Sequence, residues 1–163
     1  MDPRMAAQDH RHDSLPELLP TSDGHNQCVS CSRIIYSDPK LAVAAIIPHE
    51  DGIVLVRRGI YPAYGEWSFP SGYVSRGEVV ERALEREVLE ETELVVDAGS
   101  LIGLYSAPDR AVVLAVYEAV VRGGKLVAAD EALEARVFAP SALPELAFEH
   151  DSRIVNDWLT NRS

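Results

Sequence analysis

Between Glu78 and Glu93 the chain is rich in Ala, Leu, Glu and Arg and contains neither Pro nor Gly, a stretch that reads as helix. At roughly 100° per residue, Val80, Ala83, Leu84 and Val88 fall within one arc of about 140°. That arc is the face a helix turns toward a core. Glu87 and Glu91 lie in the middle of it, and Glu90 lies at its edge. A carboxylate on an apolar face must reach water or be met by a cation or a donor. As i,i+4 neighbours, Glu87 and Glu91 also repel one another by roughly a few tenths of a kcal/mol. Two readings stand at this point. The glutamates are solvated charge on an exposed face, or they form a cradle whose all-oxygen ligands suit Mg²⁺ or Mn²⁺.

The spacing ahead of the helix favours the cradle. Gly72, Glu78, Arg86, Glu87, Val88, Glu90, Glu91 and Leu94 fit the pattern G-x5-E-x7-R-E-U-x-E-E-x-G-U, where U is a bulky aliphatic residue. The segment Gly72 to Leu94 therefore resembles the Nudix box, with Glu93 standing where the pattern has Gly. The resemblance extends to Val43–Arg58 and to GEWSFPSG before the box, and covers roughly Lys40 to Trp158. It implies an α/β protein with the Nudix-type α/β/α sandwich and a mixed sheet. It also implies a hydrolase that uses Mg²⁺ or Mn²⁺ to cleave a nucleoside diphosphate linked to another moiety.

Composition sets the outer bounds. A chain of 163 residues, 47% hydrophobic, can bury a full core without staples. The net charge of −11 argues against a nucleic-acid clamp, which needs a basic face. An acidic protein acting on a phosphate substrate needs a cation between the two, because the cation reverses the local sign. No apolar run approaches membrane-spanning length. The start MDPRMAAQDHRHD lacks the apolar stretch of a signal peptide, so the expected setting is cytoplasmic. The expected partner is a small-molecule nucleotide, with a homodimer left open.

Along the chain, residues 1–24 are polar with Pro3, Pro16 and Pro20, and read as a disordered leader. Residues 25–39 hold the Cys pair, and 40–163 form the Nudix domain. Leu41–Pro48 suits a buried strand, and Asp51-Gly52 marks a hairpin turn into Ile53–Arg58. Gly59–Pro70 reads as loop. Leu101–Ser106, Ala111–Val121 and Ala135–Pro140 read as further strands, with Gly123-Gly124 turning the chain toward KLVA. Two short helices are expected near Ser141–Leu146 and Asp151–Leu159.

Each box residue has a physical task. Gly72 lets the backbone approach closely, so its carbonyl can face a metal or phosphate. Arg86 can reach Glu78 two turns back and orient the ligands, or form an ordinary surface pair. Glu87 and Glu91 are the metal ligands, and Glu90 a ligand or the group that activates water. Glu131, beyond the box, resembles the extra acidic residue many family members supply from a loop, and a solvated glutamate is the alternative. Arg57 and Arg58 at a strand end can meet phosphate or simply be solvated. Trp67, Tyr64 and Tyr105 can stack on a base or be buried. No hydroxyl, Cys28 or His stands in a nucleophile–base spacing, so no covalent intermediate is expected.

Cys28-Val-Ser-Cys31 resembles the second half of the zinc ribbon that precedes some Nudix domains acting on FAD or ADP-ribose-type dinucleotides. The first C-x-x-C is absent, so a degenerate half-ribbon is favoured over Zn²⁺ completed by His10, His12, His25 or a second copy. The substrate class expected is FAD-, NADH- or ADP-ribose-like. The NADH-pyrophosphatase and coenzyme A signatures are absent, and Pro108 sits near a proline typical of ADP-ribose hydrolases. The alternative is a Nudix-fold module that senses a nucleotide without turnover.

Overall fold

The computed structural model describes residues 17–36, 39–108 and 110–161. The chain forms two compact units, Met1–Asp38 and Pro39–Ser163. In the first, β1 (Leu18–Pro20) pairs antiparallel with β2 (Asn26–Cys28), which pairs with β3 (Ile34–Ile35). The end of the expected leader is therefore strand, because its backbone finds partners in β2; residues 1–16 lie outside the described residues. A tight turn joins β2 to β3: Ser32 N–H donates to the Cys28 carbonyl at 2.8 Å, and Cys28 N–H to that of Arg33 at 2.9 Å.

The second unit is built on β4 (Lys40–Ile46), whose residues Val43 to Ile46 are buried without a break. A strand apolar at every position must be covered on both faces. β5 (Pro48–His49) turns through Glu50, at φ 50°, into β6 (Gly52–Arg58), so the hairpin forms one residue earlier than expected. β7 (Trp67–Ser68) and β8 (Ser71–Tyr73) lead to α1 (Val80–Thr92). β9 (Leu94–Tyr105) and β10 (Val112–Gly124) form the long antiparallel pair, β11 (Ala132–Phe138) returns to β6, and α2 (Asp151–Asn161) closes the described chain.

The sheets run β8-β4-β10-β9 and β11-β6-β5, with β7 on β6. β4 and β10 are parallel and the other pairs antiparallel, which makes the first sheet mixed. Side chains alternate across it. Val43, Ala45, Val54 and Ala115 pack with Ala83, Leu84 and Val88 of α1. Ala44, Ile46, Leu55 and Val116 pack with Ile154, Val155 and Trp158 of α2. One helix on each face is the expected α/β/α sandwich.

Other local expectations need correction, and the expected loop Gly59–Pro70 holds a short strand, β7, because Trp67–Ser68 pairs with β6. Ser141–Leu146 is not helical, because Pro144 lacks the N–H and disfavours the α region at Leu143. Gly123 and Gly124 do not turn the chain but end β10, paired with Val95 and Leu94, and KLVA is not a strand. β9 begins at Leu94, seven residues earlier than expected. Its first half carries Asp97 and Gly99, and pairing with β10, irregular at three points, overrides that turn-like composition.

Candidate active site

Helix α1 carries its carboxylates inward, as its apolar arc requires. Glu91 is buried at 9% exposure, Glu87 is half-buried and Glu90 is exposed. Burial pushes the Glu91 carboxyl up to about 8, and the Glu87 charge adds to it, against one hydrogen bond from Ser71 N–H at 3.0 Å. Glu87 is also raised, first by burial and against the pull of Arg86. Two carboxyls this costly to ionise make a place where a cation would restore the charged form.

Gly72 in β8 lies directly against Glu87. A Cβ there would overlap the Glu87 carboxylate. The absent side chain is therefore space that the Glu87 head occupies, which is a stronger demand than a turn.

Arg86 organises the exposed side. Its guanidinium donates to both Glu78 oxygens at 2.8 and 3.0 Å, to Glu87 at 2.7 Å, to Glu90 at 3.0 Å and to the Tyr73 carbonyl at 3.2 Å. The Glu78 pairing is bidentate, as charge and geometry favour, and it holds the Glu78 carboxyl down to about 2. Glu78 in turn accepts Ser75 N–H at 2.9 Å. One cation thus ties the loop after β8 to two turns of the helix.

The C-terminal end of α1 positions a fourth acid. Glu93 takes the left-handed conformation (φ 55°, ψ 11°) and donates its N–H to Leu89. The carbonyls of Glu91 and Thr92, which no helical N–H can reach, accept from Ala129 and Val127 at 3.1 Å each. That loop runs on to Glu131, whose carbonyl accepts Gly59 N–H at 2.7 Å and whose charge adds to the raising of Glu91. Among the described residues no three Asp, Glu, His or Cys side chains converge as a preformed metal cage. The donor set at α1 nonetheless fits a hard cation: it is all oxygen, partly desolvated, and opens beside a glycine.

The other candidates separate. Arg57 donates to the Gly65 carbonyl and to Glu134, each at 2.8 Å, so it builds the loop after β6. Arg58 donates to the Pro62 carbonyl at 3.0 Å, and its charge acts on both Glu91 and Asp151. Trp67 packs edge-on against Phe138 at 4.8 Å beside the α2-side core. Tyr105 is buried and donates to Asp157 at 2.9 Å, and burial first, then that bond, push its hydroxyl up to about 12. Tyr64 is exposed and stacks on Tyr61 at 5.7 Å. Cys28 is the buried last residue of β2 and Cys31 lies exposed on the turn that follows, and the Cys28 thiol is drawn down to about 7 first by Ser30 and then by the Cys31 backbone. His25 packs on Tyr36 at 4.7 Å, while His10 and His12 lie outside the described residues.

Sequence reasoning did not find Phe148, His150, Asp151 or Arg110. His150 lies parallel to Phe148, Arg58 stands over Phe148, and Asp151 is buried at the head of α2. Burial and the Arg110 charge lower the His150 imidazole below its ordinary value. The one sequence signal was the run Phe148-Glu149-His150-Asp151 ahead of an amphipathic helix.

Residues 38–159 match the NUDIX domain family. An ADP-ribose pyrophosphatase of Methanocaldococcus jannaschii is 41% identical over 129 residues, 77% of this chain and 76% of that protein. A NAD-capped RNA hydrolase of Pseudomonas aeruginosa is 27% identical over 163 residues, 98% of this chain but 54% of that protein. A crystal structure of a NUDIX hydrolase from Nitrosomonas europaea superposes with a TM-score of 0.80 at 26% identity, covering 90% of this chain and 86% of that one. With its box carboxylates gathered on α1 and this extent of similarity, the chain belongs to the Nudix family and is a Nudix hydrolase.

Proposed function

We propose that the chain hydrolyses a nucleoside diphosphate linked to a second moiety, of the ADP-ribose, NADH or FAD type, by attack of water on a phosphorus. The observation that carries this reading is the pairing of buried Glu91 with half-buried Glu87 on the inner face of α1, with Glu87 packed against Gly72. The M. jannaschii relative supports it, since ADP-ribose is such a diphosphate. The net charge of −11 favours a free small molecule over an RNA-borne one.

In this reading Glu87 and Glu91 would hold Mg²⁺ or Mn²⁺, and Glu90, Glu131 and the Gly72 carbonyl would supply further oxygen donors. Such a cation, when bound, neutralises phosphate oxygens and lowers the pKa of water. Arg86 is a positioning residue, since its bonds fix the rotamers of Glu78, Glu87 and Glu90. Ser71 N–H holds one Glu91 oxygen and leaves the other free to act. Either Glu90 or Glu131, both exposed, can take the proton from the attacking water.

A panel of FAD, NADH, ADP-ribose, diadenosine polyphosphates and nucleoside triphosphates with added Mg²⁺ or Mn²⁺ tests this. The expected products are a mononucleotide and a phosphorylated partner, such as AMP and ribose 5-phosphate. Inorganic pyrophosphate from a triphosphate as the best reaction would overturn the substrate class.

A further inference from the structure

Phe148 is held from both sides. Ahead of it, Ala147 N–H donates to the Trp67 carbonyl at 2.8 Å, and Leu146 forms a bridge with Trp67. Behind it, Phe148 N–H donates to Asp151 Oδ2 at 3.1 Å, and Asp151 N–H returns to the Phe148 carbonyl at 3.0 Å. This reciprocal clasp locks the residue to the first turn of α2. The side chain itself is only half-buried. A ring already fixed in place loses little entropy when a ligand packs on it.

Several features converge on that ring. The His150 ring lies parallel to it, with 1° between planes and 5.5 Å between centroids. The Arg58 guanidinium stands 5.3 Å from its centroid. Phe148 also lines an open cavity of about 570 Å³, whose apolar walls are Leu143, Leu146 and Val155. Arg58 connects this place to the carboxylates. It is the last residue of β6, and the next residue, Gly59, donates its N–H to the Glu131 carbonyl at 2.7 Å. The same loop donates from Ala129 to the Glu91 carbonyl at 3.1 Å.

We propose that Phe148, braced by the stacked His150 ring, is the ring against which the nucleobase of the substrate packs where it lines the cavity, with Arg58 placed to meet the adjoining phosphate. This rests on the nucleoside-diphosphate reading above. Charge sets the direction. Glu66 and Glu145 line the cavity and repel phosphate, whereas their oxygens accept from the amino groups of a base. The base therefore enters the cavity, and the diphosphate runs past Arg58 toward Glu91.

Calorimetric titration of the full chain with AMP and with ribose 5-phosphate, without added metal, separates base from phosphate. Wild type is expected to bind AMP more tightly than ribose 5-phosphate. Phe148→Leu, which keeps an apolar side chain but no ring, should weaken AMP by about tenfold or more and leave ribose 5-phosphate unchanged. Phe148→Trp should restore AMP binding. In turnover, Phe148→Leu should raise KM for ADP-ribose by a similar factor with kcat within about threefold. AMP binding by a Phe148→Leu chain with wild-type melting at wild-type affinity would overturn the proposal. So would equal affinity of wild type for AMP and ribose 5-phosphate. Absence of hydrolysis across the substrate panel would overturn the functional reading instead, and the AMP comparison would still decide the role of Phe148.

Discussion

Glu93 occupies the one box position where this chain departs from the family pattern. Its left-handed conformation is the one a glycine adopts without cost, and its N–H still closes the helix on Leu89. The backbone has thus kept the turn and accepted a strain of about 1 kcal/mol in a side-chain-bearing residue. Glu93→Gly should raise stability by about 0.5–1 kcal/mol, after the entropy that Gly adds to the unfolded chain. Thermal melting should move up by a few degrees with turnover little changed, since the exposed Glu93 makes no bond to Glu87 or Glu91. A lower melting temperature, or a hundredfold rise in turnover, would contradict this account. Much of this residue-scale picture was legible. The eight matching positions named Gly72 and the glutamates, and the i,i+8 spacing named the Arg86–Glu78 pair. The reach of Arg86 to Glu87, Glu90 and Tyr73 was not legible, because it depends on the path of the loop after β8.

At the scale of elements, α2 shows what the pattern could not give. Its apolar face was readable, but its cap was not, since Asp151 is 2% exposed and its worth depends on burial. Burial raises its carboxyl to about 6, against the Phe148 N–H and the Arg58 charge; the His150 ring lies 3.6 Å away. A raised carboxyl favours the folded state below the unfolded value, and that contribution is lost as pH rises through about 6. Asp151→Asn keeps an acceptor for Phe148 N–H and removes the buried charge. The variant should therefore be more stable than the parent at pH 8, on the order of 1–2 kcal/mol, because the helix N-terminus offsets part of the desolvation cost. The difference should vanish by pH 4. Urea unfolding at both pH values checks it, and a variant less stable at pH 8 would refute the burial argument. The false helix at 141–146 and the missed half of β9 have one cause. Both were read from local composition, and the outcome was set by Pro144 in one case and by pairing across to β10 in the other.

Across the whole molecule, both core clusters are drawn from residues after Pro39. The unit Pro39–Ser163 therefore contains the packing that stabilises it. A chain beginning at Pro39 should unfold in one cooperative transition, within a few degrees of the full-length protein. Loss of cooperative unfolding would show that the first unit completes the core. Among the described residues no helix is long and apolar enough to cross a membrane. The sandwich brings together groups far apart in sequence: Gly72 under Glu87, Glu131 at the end of α1, and Arg58 over Phe148. The fixed box spacing picked out Gly72 itself, as backbone a metal or phosphate could approach, but not its place under Glu87. The last was not foreseen, because only the sheet places residue 58 beside residue 148. In the proposed reading Glu87 and Glu91 of α1 act by holding a divalent cation. ADP-ribose hydrolysis with Mg²⁺, compared for wild type, Glu91→Gln and wild type in EDTA, tests that role. The Gln side chain keeps the shape and the acceptor for Ser71 N–H but not the charge. Activity should fall by about a hundredfold or more in the variant and disappear in EDTA. Wild-type turnover in either case would contradict the account.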